Sequence, residues 1–203
     1  MTTKDATMTD LPTAVFLSGG GTTLKNLIRV RDAGQLPIDL KLVISSNPKA
    51  GGLNIAQAAG IPTRVVRKRD YPGDDAYRAA MFDPCREACV QLVVMAGFLK
   101  HVLIPDDYVG RVLNIHPSLI PSFCGPGMYG QRVHQAALDK GVKVSGCTVH
   151  LVDNHYDNGP IVLQRTCPVL EDDTAETLAA RVFEQECIAF PDAIRQFVAR
   201  QAS

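Results

Sequence analysis

Leu92-Val93-Val94-Met95-Ala96 is the stretch that most narrows what this chain can fold into. Five apolar residues in a row, without the polar alternation of a half-exposed strand, suit a strand buried on both faces. Strands of that kind belong to parallel sheets covered by helices on either side. The rest of the chain supplies both parts. Apolar runs at residues 14–17, 40–44, 63–66 and 112–115 read as further strands, the last of them fifth in order. Leu24, Leu27, Ile28 and Val30 mark a helical face that ends near Gly34, and residues 53–59 form a second helix closed by Gly60. A third helix runs from Asp75 to about Cys89, interrupted at Asp83-Pro84. Short loops between alternating strands and helices predict an α/β fold with a doubly wound, mostly parallel sheet of Rossmann-like type.

Beyond the fifth strand the pattern changes. A glycine- and proline-rich loop at residues 121–130 is a lid candidate, and residues 133–140 form a helix stopped by Gly141. Residues 142–152 and 161–169 read as two strands joined by so short a link that they must form an antiparallel C-terminal hairpin. Asp173 and Glu176 have capping-box spacing ahead of a last helix, whose core face carries Leu178, Val182, Ile188 and Phe190. Residues 1–12 are read as a mobile tail and 13–203 as a single domain.

Composition removes several function classes. Lysine plus arginine (21) equals aspartate plus glutamate (21), so no global positive field exists to hold a nucleic acid. No stretch approaches the ~18 consecutive apolar residues of a membrane-spanning helix, and the polar start lacks a signal peptide's apolar core. The six cysteines show no C-x-x-C pair and the five histidines no H-x-x-x-H spacing, so no metal is expected. Buried thiols in a reducing cytoplasm account for the cysteines.

The fifth strand carries the chemistry. Asn114 and His116 are two apart, so their side chains leave the strand on one face, and Pro117 then ends it. An amide and an imidazole thus come side by side where open α/β sheets bind ligands. Two polar residues satisfied by backbone would look the same. Ahead of the first helix lies Ser18-Gly19-Gly20-Gly21-Thr22-Thr23. Gly20 and Gly21 allow close backbone approach, and a helix N-terminus offers N–H groups to a phosphate, with Thr22 and Thr23 hydroxyls assisting. A tight turn with a threonine cap is the plainer account. Leu24 holds the last glycine position of G-x-G-x-x-G, and the second strand ends in Ser45-Ser46-Asn47 without an acidic residue for a ribose. The pattern therefore argues against a dinucleotide and leaves a small phosphate ester open. Asp157 would complete the set: a carboxylate beside His116 could hold its imidazolium, with Asn114 facing a developing oxyanion. Acyl transfer onto a phosphorylated acceptor suits those groups, although strand alternation does not bring Asp157 to His116.

Leu113-Asn114-Ile115-His116-Pro117-Ser118-Leu119-Ile120-Pro121 resembles the corresponding strand of the folate-dependent formyltransferases, and Tyr156-Asp157-Asn158-Gly159-Pro160 resembles their aspartate loop. The glycine loop, Met95-Ala96-Gly97-Phe98, Gly146-Cys147-Thr148-Val149-His150 and Gln185-Glu186 fit as well. The resemblance spans roughly Ala14 to Ala199 and is most detailed with members that serve de novo purine biosynthesis. It implies the formyltransferase version of the fold. The amine of glycinamide ribonucleotide would attack the formyl carbon of 10-formyltetrahydrofolate, a cosubstrate, with no tightly bound cofactor.

On that resemblance Asn114 and His116 stabilise the oxyanion, and Asp157 supports His116 and relays a proton through water. Gly20, Gly21, Thr22 and Thr23 hold the phosphate and Glu186 the ribose hydroxyls. Leu99, Lys100, His101, Val102 and Leu103, together with Asn114, Val152 and Asp153, border the folate. An arginine that binds the folate tail in some members falls near Asp74, leaving Arg67, Lys68 or Arg69 for that contact. Residues 123–130 are longer than the usual segment, and His134 matches a family histidine with a structural role. The partners implied are small molecules, with no nucleic acid and no membrane, for a cytoplasmic monomer or homodimer. A 10-formyltetrahydrofolate hydrolase would share the three polar residues behind a regulatory domain, and only 13 residues precede the first strand. A methionyl-tRNA formyltransferase would need a following RNA-binding domain. Another phosphorylated amine acceptor, or a non-catalytic phosphate binder of the same fold, remains as an alternative.

Overall fold

The computed structural model describes residues 10–201. Seven strands, β1 (Leu11–Leu17), β2 (Ile38–Ser45), β3 (Thr63–Val65), β4 (Leu92–Met95), β5 (Val112–His116), β6 (Val144–Leu151) and β7 (Ile161–Pro168), form one sheet in the order β3-β2-β1-β4-β5-β6-β7. The first five are parallel, and β6 and β7 each run antiparallel to the strand before them. Among the described residues five α-helices accompany them: α1 (Thr22–Asp32), α2 (Gly51–Ala58), α3 (Asp74–Glu87), α4 (Gln131–Lys140) and α5 (Ala175–Gln201).

Strand periodicity divides the core into two layers, as a doubly wound sheet requires. Val15, Leu17, Leu92, Val94 and Leu113 pack with α1, α2 and α5 on one face. Ala14, Phe16, Val93, Met95 and Val112 pack with α3 on the other. Phe16 is fully buried there, edge-on to Phe82 at 5.6 Å between ring centroids. Asn114 and His116 share the parity of Val112, on the side away from Leu113.

Several boundaries differ from the sequence reading. Residues 1–9 of the expected tail lie outside the described residues, but Leu11 and Pro12 already belong to β1, and Leu11 is buried against Ile38 of β2. Pro12 and Thr13, between Leu11 and the apolar run, hid that extension. Asp83-Pro84 does not interrupt α3, which continues to Glu87. Buried Phe82 and Cys85 on either side and an Arg86–Asp83 ion pair spanning the proline offset the missing hydrogen bond. The capping box of α5 is made by Thr174 and Thr177, each accepting from the other's backbone N–H at 2.9 and 3.3 Å. Asp173 instead grips Arg181, whose guanidinium holds the carboxyl well below the usual range. Ile188 is exposed; Ala189, Phe190, Ala193 and Ile194 form the core face nearby. The chain after β4, from Ala96 to Pro105, is irregular.

Candidate active site

Where β5 ends, the register of the sheet assembles the polar groups. Asn114 pairs with Met95 of β4 on one side and with His150 of β6 on the other. Directly opposed residues of an antiparallel pair point to the same face, and Asn114 Nδ2 lies 3.0 Å from His150 Nε2. His116, two residues on, is buried to 4% exposure. The chain then turns back over the strand end. Thr148 holds that turn, donating to Ser118 O at 2.7 Å and accepting from Ile120 N–H at 3.0 Å. Phe123 thereby reaches His116, whose Nε2 donates to the Phe123 carbonyl at 2.9 Å.

Asp157 arrives from the loop between β6 and β7. It stands in left-handed backbone (φ 50), which a short polar side chain tolerates. Its Oδ2 lies 3.6 Å from His116 Nδ1 and accepts Gly125 N–H at 2.8 Å, while Oδ1 lies 3.8 Å from His150 Nε2. Asn114, His116 and Asp157 therefore meet, as acyl transfer would need, and residues 123–125 brace two of them with backbone atoms.

These side chains line a cavity of about 370 Å³ at the carboxyl ends of β4 and β5. Leu99, Lys100, His101 and Val102 line it, as do Val152 and Asp153; Leu103 does not. Of the glycine-loop residues only Thr23 is in the lining. Gly20 and Thr22 are exposed, and Gly21 is buried against the start of α2. A Cβ on Gly21 would stand 2.4 Å from Gly52 Cα, and its φ of 80° already favours glycine. No side chain caps α1, so its first N–H groups remain available to an anion.

Glu186 reaches the same cavity from α5, and burial pushes its carboxyl up to about 7. His134 is 5% exposed, lines the cavity, and its Nδ1 has no hydrogen-bond partner among the described residues. Burial, and then the nearby His116, pull the His134 pKa down. Burial likewise lowers that of His150. Sequence reasoning assigned His150 no role, although its place opposite Asn114 follows once the β5–β6 register is known. At the rim, the His101 and Tyr156 rings stand 5.0 Å apart, and Asn154 Oδ1 accepts Ile104 N–H at 2.8 Å. Of the three basic residues near Asp74, Lys68 pairs with Asp74 itself at 2.9 Å, Arg67 pairs with Asp70 at 2.6 Å, and Arg69 is largely exposed. Among the described residues no group of three or more histidine, cysteine, aspartate or glutamate side chains is arranged to hold a metal ion. All six cysteines are free.

An amide and an imidazole at the end of β5 and a carboxylate from the β6–β7 loop thus share one cavity of a doubly wound sheet, an arrangement suited to group transfer. Residues 12–194 match the formyl transferase family, and the chain belongs to it. It is 40% identical over 177 residues to the chloroplastic phosphoribosylglycinamide formyltransferase of Vigna unguiculata, covering 85% of this chain and 56% of that protein. It is also 40% identical over 189 residues to the trifunctional purine biosynthetic protein adenosine-3 of Drosophila melanogaster, covering 91% of this chain but 14% of that protein. The chain thus spans about half of the first relative and a small part of the second. The crystal structure of phosphoribosylglycinamide formyltransferase from Brucella melitensis is similar at TM-score 0.83 and 41% identity, covering 93% of this chain and 96% of that one. Glycinamide ribonucleotide transformylase 1 from Symbiobacterium toebii gives 0.84 and 37%, covering 93% and 88%.

Proposed function

We propose that this protein transfers the formyl group of 10-formyltetrahydrofolate to the amine of glycinamide ribonucleotide, a step of de novo purine biosynthesis. The observation that carries the reading is the meeting of Asn114, His116 and Asp157 on one cavity, in a chain whose relatives bear that activity in their names. The amine nitrogen attacks the formyl carbon, and the carbonyl electron pair moves to oxygen. Asn114 N–H and protonated His116 stabilise the resulting oxyanion. With its Nε2–H committed to Phe123, His116 offers Nδ1, on the side where Asp157 supplies the countercharge. The carbon–nitrogen bond to folate then breaks. A proton lost by the amine passes through water held at Asp157 to the leaving folate nitrogen, so formylated ribonucleotide and tetrahydrofolate leave in balance.

The first turn of α1, with Gly20, Gly21, Thr22 and Thr23, takes the phosphate, and Glu186 takes the ribose hydroxyls. Residues 99–102, Val152 and Asp153 take the folate, which is consumed and not resident. Both partners are small molecules. No described helix is long and apolar enough to cross a membrane, and free thiols suit a reducing cytoplasm.

Purified protein with 10-formyl folate and glycinamide ribonucleotide should release deformylated folate only when both are present. Formate release without the ribonucleotide would replace this reading with a hydrolase.

A further inference from the structure

The contact between Asn114 and His150 fixes more than a distance. His150 Nδ1 lies 2.9 Å from the Leu151 carbonyl, and a carbonyl oxygen can only accept, so Nδ1 carries the proton. The ring is 2% exposed, and its lowered pKa keeps it neutral despite Asp157 at 3.8 Å and Asp153 further off. Nε2 is then a bare lone pair. The group 3.0 Å away must donate to it, which makes that edge of Asn114 the NH2. Turning the amide over would set its oxygen against the lone pair and leave two acceptors facing each other. Only one amide orientation survives. It sends one N–H to His150 and leaves the second N–H of Asn114, a cavity-lining residue, without a hydrogen-bond partner among the described residues.

We infer that His150 is a positioning residue, whose bare Nε2 selects the Asn114 orientation that presents N–H rather than oxygen to the reacting carbonyl. The inference rests on the formyl-transfer reading of the site. It adds that the histidine works through Asn114 alone, neither touching substrate nor exchanging its own proton.

The test is a double-mutant cycle read in kcat and KM. His150→Leu removes the acceptor and keeps the volume. It should lower kcat on the order of 10²-fold, the loss that follows when one oxyanion donor is withdrawn, with both KM values within about twofold. His150→Gln, whose amide oxygen can accept in place of Nε2, should recover most of that loss. In an Asn114→Ala background, already without the amide, His150→Leu should cost less than about twofold more. Equal losses in both backgrounds, or Leu and Gln variants that behave alike, would overturn the inference while the formyl-transfer reading stood. If wild type failed to turn over the two substrates, that reading would fall instead. Nitrogen-15 NMR of the His150 ring then decides the tautomer without activity. A proton on Nδ1 and none on Nε2 near neutral pH is the expected result, and a protonated Nε2 overturns it.

Discussion

Two turns border the cavity and are built in opposite ways. The turn from β1 into α1 is anchored by side chains only at its start, where Ser18 Oγ meets Ser46 Oγ and accepts Leu99 N–H, and is shaped beyond it by backbone: Gly21 sits in left-handed backbone within touching distance of Gly52, and Gly52 N–H reaches Gly19 O at 3.2 Å. The turn ending in Asp157 is shaped by side chains. Asp153 accepts from His155 N–H and from Asn158, Asn154 accepts from Ile104 N–H, and Asp157 accepts from Gly125 N–H. The first should therefore fail as structure when altered, and the second should fail as chemistry.

The largest effect should come from Asp157→Asn. Asparagine tolerates the left-handed backbone and can still accept from Gly125, so folding should hold. Turnover should fall by roughly 10²–10⁴ with little change in either KM, the range for a positioned acid–base group. Near-normal kcat would reduce Asp157 to a turn residue. Gly21→Val is the reciprocal case. A branched side chain at positive φ, driven into Gly52, should cost about 2–5 kcal/mol of stability in denaturant unfolding. Gly20→Ala, whose Cβ meets nothing within 4 Å, should leave stability unchanged. Equal melting curves for the Gly21 variant and wild type would erase the contrast.

Glu186 sharpens it through pH. Its folded pKa of about 7 lies above the ordinary 4.5, so the folded state holds a proton that the unfolded state has released. Its contribution is complete below about 4.5 and is lost as pH rises through 7. Stability measured across that window should fall less in Glu186→Gln than in wild type. If Glu186 binds the ribose as a carboxylate, ribonucleotide KM should also improve through pH 7 in wild type, and the variant should lack that improvement. The smallest effect is expected from Asn154→Ala. Loss of the acceptor for Ile104 N–H should cost about 1 kcal/mol and raise the folate KM several-fold, with the ribonucleotide KM unmoved. Kinetics with each substrate varied in turn would show a different pattern if the latch served both.

What could be read in advance followed from period and punctuation. The apolar run of β4, the alternation before it and the short link between β6 and β7 were enough for the sheet. Asn114 and His116 shared a face because a strand repeats every two residues. What escaped depended on distance through space. His150 meets Asn114 only in one β5–β6 register, and nothing in the residues of either strand states it. Gly21 has a packing duty visible only once α2 starts against it. Thr174 displaced Asp173 as the cap because Arg181, eight residues on, claims the aspartate.

The brace formed by residues 123–125 has a consequence for divergence. It reaches His116 through the Phe123 carbonyl and Asp157 through the Gly125 N–H, so the polypeptide spine rather than its decoration does the holding. The side chain of Cys124, between the two contacts, is thereby released from that duty. Lineages can drift, and engineers can install labels or new rim contacts, in a segment that abuts the reacting groups, provided that its path is kept.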